Sequence, residues 1–329
     1  MRFVPLAAMV LGTAAMAQDS VTQLPRWSLA IHGGAGTLGR KDMTPEKDAA
    51  YRKALQEALD AGTAVLKSGG AALDAITAVI VRLEEDEKFN AGKGAVYTWD
   101  GTHELDASIM DGKTRAAGAV AGVTTVRSPI LLARKVMEDS PHVMLAGAGA
   151  EQFARERGLE VVPNSFFDTP ERLEALRRVK EDKLSALDVD IKFGTVGAVA
   201  LDSKGNLAAG TSTGGMTGKR WNRIGDAPII GAGTYAENGV CAVSGTGWGE
   251  YFIRVGVART ICARMSMKGE SAQAASDATI ADVGRLGGDG GVIVVGGNGD
   301  AVFSMNTSGM YRGRATSAGV NEVAIYGDE

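Results

Sequence analysis

Apolar and polar positions follow two different periods along the chain. Over residues 44–67 the apolar Ala50, Leu55, Leu59 and Val65 recur at helical spacing, and Thr44, Glu46 and Lys47 form a helix start. Residues 71–84 repeat the pattern with more apolar positions, which predicts a buried helix. Further helices are predicted at 128–138, opened by Ser-Pro, at 150–157, at the charged 170–181, at 250–267 and at 271–283. Short apolar runs predict strands at 27–32, 95–99, 104–110, 117–126, 143–146, 195–201, 207–212, 242–244, 291–295 and 301–305. Ser203-Lys204-Gly205-Asn206 and Gly297-Asn298-Gly299 join two pairs of these into hairpins. Strands cluster and helices come in consecutive pairs, so the order is not an alternating βαβ. That pattern implies an α+β domain of antiparallel sheets with helices packed outside. No period of 20–50 residues marks a repeat protein.

The first residues have a different design. MRFVPLAAMVLGTAAMA carries Arg2, an apolar stretch from Val4 to Ala14, and Ala15-Met16-Ala17 as a small-residue cleavage site. This is the arrangement of a signal peptide over 1–17, too short to span a membrane. The expectation is an exported protein, periplasmic or secreted and not held in a membrane, whose mature chain starts near Gln18.

Composition narrows the function. Glycine occurs 45 times in 329 residues, about twice the usual share, without a three-residue period. The glycines end apolar runs, as tight turns and close backbone approaches require. The 35 basic and 39 acidic residues leave a net charge of −4. That balance offers no basic face for nucleic acid, and an aromatic share of 5% offers few stacking platforms. The two cysteines, Cys241 and Cys262, make no metal spacing. They read as small buried hydrophobes, with a single disulfide between them left open.

No GxSxG elbow and no phosphate-binding GxxxxGK[ST] is present. Each of the three histidines, His32, His103 and His142, reads as a core or capping residue. A hydrolase built this way needs another base. Gly33-Gly34-Ala35-Gly36 after the first strand reads as a tight turn that can offer N–H groups to an anion. Thr195 follows Gly194 directly after the polar stretch 183–192. Cleavage there would leave Thr195 with a free α-amine beside its hydroxyl, and that amine can act as base. Thr211, Ser212, Thr213 and Thr217 bring four hydroxyls close together. In Arg223-Ile224-Gly225-Asp226, an arginine suited to a carboxylate sits near an aspartate suited to an ammonium, the two ends of an α-amino acid. A surface ion pair between them is the plainer alternative. Ser244-Gly245-Thr246-Gly247-Trp248-Gly249 leads into a helix whose first N–H groups can hold an oxyanion.

In one order, IHGGAG, FNAGKGAVYTWDGTHELDASIMDG, GTVGAVALD, TSTGGMTGK, RIGDAPIIGAGTYA, SGTGWGE and MNTSGMYR cover nearly the whole mature chain. Together they resemble the plant-type asparaginases, or isoaspartyl peptidases, of the N-terminal-nucleophile hydrolases. The resemblance implies a four-layer αββα sandwich cut between Gly194 and Thr195 into an alpha chain, 18–194, and a beta chain, 195–329. It implies Thr195 as nucleophile, Thr213 beside it, and Thr246 with Gly247 as oxyanion hole. Arg223 would hold the substrate's α-carboxylate and Asp226 its α-ammonium, with Ile224, Gly225, Trp248 and Gly249 lining the same site. A structural sodium is implied on the backbone carbonyls of Leu83, Glu84, Asp86, Phe89, Ala91 and Lys93, with Asn90 reaching towards the site, and no cofactor for catalysis.

The assembly implied is a heterotetramer of two alpha and two beta chains, and the small-molecule substrates are L-asparagine and isoaspartyl dipeptides. The chain departs from the family at Asn222, where a glycine usually precedes the arginine, and in the bulky Trp221 and Trp248. A glycosylasparaginase is the nearer alternative, although Gly194 stands where those enzymes carry aspartate. The alternative from another class is an exported binding protein that never cleaves.

Overall fold

The computed structural model describes residues 26–36, 39–40, 43–181 and 194–329. The leader at 1–17 and the polar stretch at 183–192 lie outside them. Among the described residues, strands form two sheets. The larger has the order β12 (Asn321–Tyr326), β11 (Gly309–Thr316), β1 (Ser28–Gly36), β5 (Val196–Leu201), β6 (Leu207–Thr213), β2 (Leu105–Asp111), β3 (Ala117–Val123), β4 (Met144–Ala146). The smaller runs β10 (Ala301–Met305), β9 (Gly290–Gly296), β8 (Cys241–Gly247), β7 (Thr234–Glu237). Neighbours are antiparallel except β3 and β4.

Helices α1 (Pro45–Lys67), α2 (Ala72–Glu84) and α3 (Pro129–Asp139) cover one face of the larger sheet, and α7 (Val257–Lys268) and α8 (Ala272–Arg285) cover the smaller. The two sheets pack on each other through β1, β5 and β6 against β8 and β9. The result is the expected four-layer αββα sandwich of the α+β class. Strand alternation divides the core. On β5, Val196, Ala198 and Ala200 face the helices, while Val199 and Leu201 face the second sheet. Leu55 and Leu59 of α1 and Ile76 and Ile80 of α2 are fully buried on the helical side. Each contributes about 1.5–3 kcal/mol by leaving water. Thr44 caps α1 by accepting from the Lys47 N–H at 3.3 Å.

Several expectations need correction. Residues 95–99 form no strand, only an isolated bridge from Thr98 to Lys219. Val96 spends its backbone bonds on side chains, its N–H on Asn90 Oδ1 and its carbonyl on the His103 ring, and the residues around it bond to turns and to the 218–219 segment. The glycine run after β1 is not a turn. β1 continues to Gly36 with a bulge between His32 and Gly34. A Cβ on Gly33 would lie 2.5 Å from the Phe89 ring, so this glycine answers a close approach.

The single helix predicted at 250–267 is two, α6 (Gly249–Val255) and α7, broken at Gly256 with a left-handed φ of 62°. β7, β11 and β12 escaped prediction because their glycines, arginines and glutamates mask the period of two. The remaining helices are α4 (Gly147–Glu156) and α5 (Pro170–Glu181). Cys241 of β8 and Cys262 of α7 form a disulfide, so the two are not simple hydrophobes. No described helix is long and apolar enough to cross a membrane.

Candidate active site

Thr195, Thr213 and Thr246 stand on the facing sides of the two sheets. Thr195 stands at the start of β5, its hydroxyl on the inter-sheet face, with 9% of its surface exposed. Thr195 Oγ1 donates to Thr213 Oγ1 at 3.1 Å. Thr213 Oγ1 also accepts from the Gly215 N–H at 3.0 Å and donates to the Gly194 carbonyl at 3.3 Å. β5 and β6 form the hairpin read from the sequence, and its register pairs Val196 with Ser212. One hydroxyl therefore touches both the Thr195 side chain and the carbonyl of the peptide bond before it. A Cβ at Gly194 would come 2.8 Å from the Asn90 Cβ, which explains the glycine.

Asn90 is pinned by Nδ2 donating to the Gly215 carbonyl at 2.7 Å and by its own carbonyl accepting from the Gly214 N–H at 3.1 Å. It ties the loop after α2 to the segment after β6. In the same loop, a Cβ on Gly94 would meet the carbonyls of Phe89 and Glu87, and one on Gly92 that of Glu84, so both glycines answer close backbone approaches. Among the described residues no cluster of His, Cys, Asp and Glu could hold a metal.

The Glu84 side chain has a separate task. Its Oε1 accepts from Ser212 Oγ at 2.6 Å and the Ile130 N–H at 3.0 Å, and its Oε2 from Ser128 Oγ. Burial pushes this carboxyl up to about 7 despite those bonds.

Thr246 lies two residues beyond Ser244 on β8, on the same face, and its Oγ1 accepts from the Ala35 N–H at 3.2 Å. Gly247 has φ 152°, and a Cβ there would lie 2.5 Å from Gly290 Cα, so the strand end admits only glycine. Trp248 precedes α6 and packs edge-on against Tyr251 at 5.1 Å.

Arg223 and Asp226 come together across Gly249. A Cβ on Gly249 would lie 2.8 Å from Arg223 Nη2 and 3.0 Å from Asp226 Oδ1. The surface ion pair considered between them does not form. Arg223 instead donates Nε and Nη2 to Glu250 at 2.9 and 2.7 Å. Burial works against ionisation of Glu250, but these bonds hold its carboxyl below the usual range. Asp226 is buried and its Oδ2 has no hydrogen-bond partner. Burial pushes it up to about 7, against the pull of Arg223. A buried carboxylate without a partner is costly unless a cation arrives. Gly225 packs against the Arg223 guanidinium, and Ile224 is partly exposed beside it.

Trp221 and Asn222 both adopt φ 54°. A left-handed backbone at Asn222 is what a glycine there would take without strain, so this departure is conformational. Trp221 is 91% exposed, with the Arg220 guanidinium 5.9 Å from its ring centre.

Four participants escaped the sequence reading. Glu250 was visible only as the end of a motif. Ser244 and His32 lie 212 residues apart, yet His32 Nε2 meets Ser244 Oγ at 2.8 Å and its Nδ1 meets the Thr195 carbonyl at 2.8 Å. Lys219 is buried, donating Nζ to the Glu104 carbonyl at 2.9 Å and lying 3.9 Å from Asp106 Oδ2. The lysine after the hydroxyl-rich TSTGGMTG run was the one available signal.

The asparaginase family model matches residues 25–325. An isoaspartyl peptidase of Salmonella typhimurium is 48% identical over 306 residues, 91% of this chain and 98% of the relative. An isoaspartyl peptidase of Escherichia coli is 47% identical over 306 residues, 91% and 95% of the two chains. A probable isoaspartyl peptidase/L-asparaginase of Arabidopsis thaliana is 43% identical over 326 residues, 91% and 99%.

Proposed function

The chain belongs to the asparaginase family, and from that premise we propose that it is a self-cleaving amidohydrolase of L-asparagine and isoaspartyl dipeptides. The observation that carries this reading is the bond of Thr213 Oγ1 to both Thr195 Oγ1, at 3.1 Å, and the Gly194 carbonyl, at 3.3 Å. In the precursor, Thr195 Oγ attacks the Gly194 carbonyl carbon. Thr213 accepts from the attacking hydroxyl and donates to the carbonyl oxygen. The C–N bond breaks, the Thr195 nitrogen takes the proton, and water then opens the resulting ester. Gly194 supports this step because the space beside Asn90 has no room for a side chain.

In the mature enzyme the freed Thr195 amine takes the proton from its own hydroxyl as Oγ attacks the substrate's side-chain carbonyl. Ammonia or an amino acid leaves, and water releases aspartate from the ester. Asp226 receives the α-ammonium, which supplies the cation that its buried carboxylate lacks. Arg223, held by Glu250, receives the α-carboxylate. Thr246 and the Gly247 N–H hold the oxyanion, and each such donor contributes about 3–4 kcal/mol to the barrier reduction.

A structural sodium would be held in the turn after α2 by the backbone carbonyls of Leu83, Glu84, Asp86, Phe89, Ala91 and Lys93. It would brace Asn90 and through it Gly214 and Gly215, with no part in the chemistry. Export is supported by the leader pattern over 1–17 and by the Cys241–Cys262 disulfide, a bond that persists in oxidising compartments. The assembly proposed is two alpha and two beta chains.

A denaturing gel with intact masses tests the reading. Two chains, 18–194 and 195–329, together with ammonia and aspartate release from asparagine, are expected. One stable chain without turnover would favour the binding protein. Turnover confined to glycosylated asparagine would favour the glycosylasparaginase.

A further inference from the structure

Behind the nucleophile runs a buried polar chain that the mechanism above leaves unused. His32 Nδ1 lies 2.8 Å from the Thr195 carbonyl, and Nε2 lies 2.8 Å from Ser244 Oγ. Ser244 Oγ lies 2.7 Å from Thr211 Oγ1, which lies 2.5 Å from Thr234 Oγ1. Ser108 Oγ meets Thr234 Oγ1 at 2.8 Å and the Ala227 carbonyl at 2.6 Å. All five side chains are fully buried. They come from β1, β8, β6, β7 and β2, so the chain stitches the two sheets together.

The protons on the ring can be assigned by elimination. A carbonyl only accepts, so His32 Nδ1 carries hydrogen and donates to Thr195. Burial keeps the ring neutral, with its pKa lowered to about 3 although the Thr195 bond opposes the shift. Nε2 then accepts, and the Ser244 hydroxyl donates to it, so the imidazole is left one tautomer. Farther along, two carbonyls accept from the hydroxyls, Ala227 from Ser108 Oγ at 2.6 Å and Gly233 from Thr211 Oγ1 at 3.2 Å. A Cβ at Gly197 would run into both Ser244 Oγ and His32 Nε2, so the glycine on β5 leaves the space for this contact.

We propose that His32 is a positioning residue for the Thr195 nucleophile, clamping its carbonyl through Nδ1–H while the buried Ser244 hydroxyl fixes the ring. The inference rests on Thr195 being the nucleophile. In the mature enzyme that threonine is a chain end, free to rotate about its own bonds. Holding its carbonyl restricts the backbone that carries both the amine and the hydroxyl, so base and nucleophile keep one mutual orientation. His32 bonds to Thr195 and Ser244 and to neither Arg223 nor Asp226. Loss of this clamp should therefore appear in kcat and not in KM.

His32→Leu should cleave into two chains yet lose kcat on the order of 100-fold, with KM for asparagine within about threefold. His32→Asn places an amide N–H near the former Nδ1 and should recover at least a tenth of the lost rate. Wild-type kcat in His32→Leu, or no difference between the two variants, would overturn the proposal. ¹⁵N NMR of wild-type enzyme labelled at its three histidines needs no variant. It should show one imidazole in the Nδ1–H form from pH 5 to 8, and an Nε2–H form for His32 would overturn the assignment. Thr195→Ala is the control for the underlying reading. Amidase activity in it sinks the nucleophile, whereas an inactive Thr195→Ala beside a fully active His32→Leu sinks only the clamp.

Discussion

Glu250 grips the guanidinium of Arg223 with two hydrogen bonds, Nε to Oε1 at 2.9 Å and Nη2 to Oε2 at 2.7 Å. The pairing uses one edge of the guanidinium and sets the direction of the other. In the proposed reading, that leaves the free edge of Arg223 aimed at a substrate carboxylate. Glu250→Ala should raise KM for asparagine about tenfold, the worth of one charge-assisted bond, with kcat within about threefold. Steady-state kinetics check this, and an unchanged KM would mean that Arg223 needs no such support.

Asp226 is a buried carboxylate with an unpartnered oxygen beside Arg223. Asp226→Ala should still self-cleave but lose about 2–5 kcal/mol of substrate binding, read as kcat/KM for asparagine. The pH dependence follows from the free-enzyme value of about 7. Below that pH the carboxyl is neutral and cannot pair with an ammonium. The Kd of L-aspartate should therefore be flat above about 7 and weaken as pH falls, while Asp226→Asn should be weak and flat. The stability sign is opposite to that of a salt-bridged carboxylate. With its folded value raised above the unfolded range near 4, Asp226 costs the apo-protein stability as pH rises from about 4 through 7. Thermal unfolding of Asp226→Asn should lack that loss, and isothermal titration measures the binding arm.

Thr195→Ala removes the hydroxyl from both proposed steps. It should remain one chain and be inactive, whereas Thr195→Ser should cleave and keep part of the activity. Thr195→Cys should cleave and hydrolyse amides poorly, because sulfur is a good nucleophile but also a good leaving group. Cleavage of Thr195→Ala at the same bond would exclude the hydroxyl as the agent of its own release.

Trp221 and Asn222 hold consecutive left-handed conformations at φ 54°. Trp221 is a bulky residue with almost no packing to lose. Trp221→Gly should stabilise the protein by about 1 kcal/mol through relief of that strain, measured as a higher thermal midpoint. A lower midpoint would mean that the exposed indole has a contact that its 91% exposure does not suggest.

The Cys241–Cys262 disulfide ties β8, which carries Ser244, Thr246 and Gly247, to α7 across 21 residues. Replacing both cysteines by serine should cost about 3 kcal/mol by the loop-entropy estimate. Thermal melts with and without reductant, and a mass gain of two hydrogens on reduction, check it. An unchanged melt would show the thiols reduced or the bond without effect.

The local sequence was enough for elements whose own residues carry the signal. Helices α1, α2 and α8 show their period and, in α1, the Thr44 cap. The β5–β6 hairpin shows its turn, and the layered α+β class follows from the order of elements. The motif string singled out Thr195, Thr213, Arg223 and Asp226 as candidates, and the types of Arg223 and Asp226 alone suggested an amino-acid site. The tertiary structure decided what depends on pairs far apart in the chain. Residues 95–99 look like a strand, but Val96 spends its backbone bonds on the Asn90 and His103 side chains. β11 shows no clear period of two yet pairs with β1, one strand in from the edge of the larger sheet. Glu250 decides how Arg223 points, and His32 reaches Thr195 from 163 residues away. A buried polar group takes its role from whichever partner the fold brings within hydrogen-bond reach, and no window of sequence contains that partner.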